Sequence, residues 1–66
     1  MQTQQSPPRI LRRREVERRV GLSKPTLYRR IEAGSFPKSV PLGARAVGWL
    51  STEIDQWIAE QAGKRA

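Results

Sequence analysis

The stretch Gly21-Leu22-Ser23-Lys24-Pro25-Thr26-Leu27-Tyr28-Arg29-Arg30-Ile31 decides how the chain is read. Gly21 can supply the positive φ of a sharp turn between two helices. Ser23 suits the N-cap of the second helix, where its hydroxyl can accept a free backbone N–H. Pro25 falls in the first turn, where a missing N–H costs nothing. Leu27 and Ile31, four apart, share one face. At about 100° per residue Arg29 points almost opposite, with Thr26 and Arg30 on one flank and Tyr28 on the other. Gly34 stands where a C′ residue ends the helix. An apolar underside with Thr, Tyr and two Arg on the remaining surface matches the second helix of a helix-turn-helix, the element that enters a major groove. Taken alone, the stretch also fits an ordinary surface helix with solvated arginines, so its flanks must decide.

Upstream, Val16 and Val20 form the buried stripe of a first helix expected from about Arg13 to Val20, and Leu22 plugs the corner after the turn. Arg12, Arg13 and Arg14 crowd the N-terminus of that helix, where the macrodipole is positive, and no Ser, Thr, Asp or Asn caps it. Glu15 and Glu17 relieve the conflict only in part. Phosphates docking there would resolve it by meeting both the arginines and the free N–H groups; otherwise the arginines splay into water. Ile10 and Leu11 are expected to be the first core residues, in a short extended segment. Residues 1–9 are rich in Gln, Ser, Thr and Pro and are expected to form a disordered arm. Only Arg9 in that arm could contact a nucleic acid.

Downstream of Gly34 the pattern changes. Ser35-Phe36-Pro37 reads as a loop with one buried aromatic. Val40, Leu42, Val47 and Trp49 then alternate with small or polar residues around Gly43-Ala44-Arg45-Ala46, a β-hairpin signal. Strands are expected near Ser39–Leu42 and Val47–Leu50, at an edge because of Pro41. Arg45 falls near the tip, where the wing of a winged helix carries a phosphate- or minor-groove-seeking cation; a solubilising turn arginine is the alternative. Lys38 enters the same region. Ser51 is expected to cap a third helix, with Glu53 and Asp55 near its positive end. Ile54, Trp57 and Ile58 form its apolar stripe, and Gly63 ends it. Trp49 and Trp57 both read as core, and the Trp49 indole N–H will want a partner.

Composition narrows the function. A chain of 66 residues makes one small domain, burying only about 60% of its unfolded surface. With no Cys and no His, zinc staples, disulfides, thiol catalysis and imidazole chemistry are excluded. No metal site, no cofactor and no catalytic residue is expected. The formal charge is +7, which points to a polyanion, nucleic acid being the commonest. Residues 1–33 hold nine Lys/Arg against three Glu, a net of +6, and residues 34–66 a net of +1. The basic half is therefore the half with the helix-turn-helix. No apolar run approaches the roughly 20 residues of a membrane span, and the polar N-terminus is unlike a signal peptide. A cytoplasmic location follows, without membrane partners.

Taken together, the order Ile10-Leu11, Glu15-Val16, Gly21-Leu22-Ser23, Thr26-Leu27-Tyr28-Arg29, Gly34-Ser35-Phe36-Pro37, Leu42-Gly43, Arg45-Ala46-Val47-Gly48-Trp49 and Ile54-Asp55-Gln56-Trp57-Ile58 resembles the AlpA family. These are small phage- and prophage-encoded transcriptional regulators, related to excisionases and to the DNA-binding headpiece of MerR-type regulators. The likeness runs from about residue 10 to 60. Its specific part is Gly-x-Phe-Pro followed by Arg-x-Val-Gly-Trp. The arginine string at Arg12–Arg14 is richer than the family pattern.

The resemblance implies a winged helix-turn-helix bound to double-stranded DNA, the second helix in the major groove and the hairpin as wing. Carried over, Ser23, Lys24, Thr26, Tyr28, Arg29 and Arg30 fall on the recognition helix and Arg45 in the wing. The expected fold is α+β, mostly α, with three short helices and a two-stranded hairpin wing over residues 10–62, and a frayed end at 63–66. Arg29, Arg30 and Thr26 are expected at base edges. Lys24, Tyr28, Arg12, Arg13 and Arg14 are expected on phosphates, with Lys38 a further candidate. The outcome is transcriptional control of phage or mobile-element genes, or excisionase-like direction of recombination with a recombinase as partner. Other copies of the chain on adjacent sites are a further expected partner, because one minimal module buries only about 600–1,000 Å² on DNA. The competing classes are a basic RNA-binding protein and a protein-interaction module.

Overall fold

The computed structural model describes residues 7–65. The arm expected over residues 1–9 lies mostly outside the described residues, as does Ala66 at the other end. The elements run β1 (Ile10–Arg12), α1 (Arg13–Val20), α2 (Lys24–Glu32), β2 (Val40–Pro41), β3 (Val47–Leu50) and α3 (Ser51–Ala62). Three helices and a small antiparallel sheet make the α+β, mainly helical architecture expected of a winged helix.

The helix ends follow from the glycines. Gly21 adopts φ 72°, and its N–H donates to the Glu17 carbonyl at 2.8 Å, closing α1. Gly34 adopts φ 80°. Its N–H donates to Ile31 O at 3.0 Å, while that of Ser35 donates to Arg30 O at 2.9 Å. This pair of bonds satisfies the last carbonyls of α2 as in a Schellman motif.

The sheet is larger than expected. Its order is β1-β3-β2, both pairs antiparallel. Ile10, Leu11 and Arg12 face Leu50, Trp49 and Gly48, while Val40 and Pro41 face Gly48 and Val47. The segment expected only to be extended is thus an edge strand, and the hairpin strand before the turn shortens to two residues. Pro41 limits that strand because it has no N–H to donate.

Ser51 does not cap α3, as had been expected; Leu50 holds the cap position and no side chain bonds there. Instead the buried Ser51 hydroxyl accepts the Arg9 N–H at 2.9 Å, and the Ser51 N–H donates to Arg9 O at 2.8 Å. Arg9, placed in the arm by its sequence, is thereby tied to the start of α3. Nor does Ser23 cap α2 with its hydroxyl, which donates to Thr26 Oγ1 at 3.1 Å.

One core joins the elements: Leu11, Val16, Leu27, Phe36, Trp49 and Ile54, with Val20, Leu22, Tyr28, Ile31, Val47 and Trp57 packed around it. Three residues expected inside lie further out. Ile10 and Ile58 are exposed, and Trp57 is half-buried. For Ile10 the reason is strand alternation: Leu11 takes the inward place and Ile10 falls on the opposite face. Both indoles are satisfied all the same. Trp49 Nε1 donates to Pro37 O at 2.9 Å and Trp57 Nε1 to Ser35 O at 2.8 Å. The two indoles hold the loop on either side of Phe36, whose ring meets Trp57 edge-on at 4.8 Å.

Candidate nucleic-acid interface

The presentation of α2 is fixed from below. Leu27 is fully buried, and Ile31 packs beside the core on the same face. These two set the roll of the helix, so each remaining side chain has a defined direction. Arg29, opposite Leu27, is exposed, as are Lys24 and Pro25 at the N-terminal end. Thr26 is half-buried on one flank and Ser23 exposed beside it. On the other flank Tyr28 is half-buried, its ring 6.4 Å from that of Trp49. Tyr28 therefore sits where α2 meets the sheet.

The structure separates Arg29 from Arg30. Arg30 is exposed but lies along an open groove between the end of α2, the loop after it and α3, with Trp57 and Gln61. Lys38 and Lys64 line the same groove, and Arg65 flanks its neighbour. Lys64 and Arg65 carried no signal in the sequence, because only the tertiary packing of α3 brings them beside α2. Arg45 is exposed in the hairpin turn, which is closed by Leu42 N–H to Ala46 O at 2.7 Å.

Ion pairing divides the cations of the chain into two sets. Three of the 13 Lys and Arg are paired: Arg13 with Glu17 at 2.8 Å, Arg18 with Glu15 at 2.9 Å, and Arg19 with Glu15 at 3.2 Å and Asp55 at 3.6 Å. The hydrogen bonds from Arg18, then Arg19, hold the exposed Glu15 carboxyl below its usual range. Among the described residues Arg12, Arg14, Lys24, Arg29, Arg30, Lys38 and Arg45 have no carboxylate partner. Of the cations in the expected site, only Arg13 is paired with a carboxylate. At the start of α1, Arg12 holds the cap position with extended backbone and no side-chain cap bond, so free N–H groups and the arginines share that end.

Among the described residues no helix is long and apolar enough to cross a membrane, and no three His, Cys, Asp or Glu group as metal ligands would.

Residues 9–62, which hold all six elements and the core, match the family model described as prophage CP4-57 regulatory protein (AlpA). The chain belongs to the AlpA family. Among its relatives is an uncharacterised protein, ORF88, of Enterobacteria phage P4, 42% identical over 57 residues, which cover 86% of this chain and 65% of the phage protein. Another is the DNA-binding transcriptional activator AlpA of Escherichia coli, 36% identical over 59 residues, 80% of this chain and 84% of the relative. The chain thus spans just under two thirds of the phage protein's length and most of the activator's. In this AlpA-family chain the match takes in α2, the hairpin and the loop between them.

Proposed function

We propose that this chain is a sequence-specific double-stranded DNA-binding regulator of transcription of phage or mobile-element genes, with α2 in the major groove and the β2–β3 hairpin as wing. The observation that carries the reading is the division of cations. Acids within the fold engage Arg13, Arg18 and Arg19 of α1, whereas the outer surface of α2 and the hairpin tip keep their cations unpaired and exposed. Unpaired cations on a rolled-out helix face are what phosphates and guanine edges require. The relative named as a DNA-binding transcriptional activator supports the same reading.

In this arrangement Arg29, with Thr26 on its flank, reaches base edges. Lys24, Tyr28, Arg12 and Arg14 hold phosphates and set the register, with Ser23 in the first turn between them. Arg13 reaches a phosphate only by sharing its guanidinium with Glu17. Arg30 and Lys38, set toward α3, contact the backbone at the margin of the site, and Arg45 anchors the wing.

The test is a fluorescence-anisotropy titration at two salt concentrations against DNA from the gene's own upstream region, scrambled DNA of equal length and structured RNA. A preference for the first that survives added salt is expected. Equal binding to all three, vanishing together as salt rises, would reduce the interaction to charge and overturn the reading.

A further inference from the structure

Gly48 is the one place where all three strands meet. It faces Arg12 on β1 and Val40 on β2, in the middle of the central strand. No unusual backbone angle calls for glycine there; space does. A Cβ at this position would overlap Ile10 Cγ2 and would come within 3.1 Å of both the Leu11 carbonyl oxygen and Leu42 Cδ1. The side chains of Ile10, from β1, and Leu42, from the root of the hairpin turn, therefore lean together over the glycine. Both stay largely in water, 42% and 43% exposed, so burial in the core does not explain their placement. What they do is cover Gly48, which is itself buried.

The hairpin needs such support. Its own ladder with β2 is two residues long, and Pro41 donates no N–H to it. The β3 arm is also held by β1, so it is the β2 arm that lacks a second hold. Ile10 and Leu42, which both reach the space over Gly48, supply that hold from the opposite edge of the sheet. Because β1 leads straight into α1 and α1 packs on β3, this pair links the hairpin to the frame that carries α2.

We infer that Gly48, Ile10 and Leu42 form a seat that sets the position of the wing, and with it Arg45, relative to the recognition helix. The inference rests on the proposed role of the hairpin as a DNA-contacting wing. Gly48 acts through Arg45 as a positioning residue and touches no DNA itself.

The experiment is a double-variant cycle on the intact chain, reading affinity for the preferred DNA and its salt dependence, with the emission of the buried Trp49 as a check on folding. Arg45→Ala is expected to lower affinity and to flatten the slope of log K against log salt by about one. Gly48→Ala is expected to do the same, and the double variant to be no weaker than either single one. Leu42→Ala, which adds no atom and leaves the core intact, is expected to give a smaller loss that likewise disappears in the Arg45→Ala background. It carries the test if Gly48→Ala does not fold. Losses that multiply in the double variants would overturn the seat while leaving the wing in place. An Arg45→Ala protein with unchanged affinity and slope would instead remove the wing from the interface, and the seat's role with it.

Discussion

Arg29 and Arg30 are adjacent in sequence and separate in space. Consecutive helical residues are about 100° apart, and buried Leu27 turns that angle into a division of surfaces: Arg29 outward, Arg30 toward the groove beside α3. The two substitutions should differ in kind. Arg29→Ala should cost about 1–3 kcal/mol on the preferred site and much less on scrambled DNA. Arg30→Ala should weaken both ligands alike, as loss of a marginal phosphate contact does. Parallel titrations on the two DNAs check this, and an equal loss for Arg29→Ala would make it a phosphate contact. The direction of Arg29 was legible in the sequence because it depends only on helix geometry and on Leu27 being inside. The fate of Arg30 was not, since it depends on where α3 packs. Nor was the Arg19–Asp55 pair, which joins residues of α1 and α3.

At the scale of elements, the helices were legible and the sheet was only partly so. The limits of α1 follow from Val16, Val20 and Gly21, all local signals. Strand β1 has three residues and no alternation long enough to show a period; it exists because β3 offers it a partner. Ser51 misled for a related reason: a serine before an apolar stripe reads as a cap, but a tertiary partner, the Arg9 N–H, takes its hydroxyl. The end of α2 gives a direct test. Gly34 has φ 80° and open space around its missing side chain. Gly34→Ala should therefore cost roughly 1 kcal/mol from backbone conformation alone, seen as a lower urea midpoint with unchanged slope.

Helix α1 gives a second test, through pH. The Arg18 and Arg19 hydrogen bonds hold the Glu15 carboxyl below its usual value, so the unfolded chain takes up the proton more readily than the folded one. That contribution is complete above the ordinary carboxylate range and is lost as pH falls through the depressed value. The urea midpoint should drop as pH falls from neutrality through the depressed carboxylate value, and Glu15→Gln should remove part of the drop. The ions are exposed, so added salt should shrink the effect.

At the scale of the molecule, two tryptophans divide the work of stability. Trp49 is fully buried at the junction of sheet, α2 and loop, whereas Trp57 covers Phe36 with one face toward solvent. Trp49→Ala should cost about 3–5 kcal/mol, which is about all the stability so small a core supplies, and so unfold the domain. Trp57→Ala should cost roughly 1–2 kcal/mol for partial burial and one hydrogen bond and leave a folded protein. Circular-dichroism melts of the two variants separate these outcomes. Which of the two tryptophans lies deeper could not be read from spacing, because both stand on apolar stripes. Place in the fold decides it: Trp49 stands on the central strand, Trp57 on α3 against the Phe36 loop.

The pairing of Leu11 with Trp49, and the clasp of Arg9 on Ser51, also govern when this domain can come into being. During synthesis β1, α1 and α2 emerge first, and helices this short are marginal while nothing from the sheet covers Val16 and Leu27. Strand β1 waits unpaired until the chain through Ser51 has cleared the ribosome. Pairing strands so far apart in the chain is slow compared with forming a helix. The surface proposed to meet DNA is therefore written early in the chain but acquires its shape only when nearly all of the domain has been made.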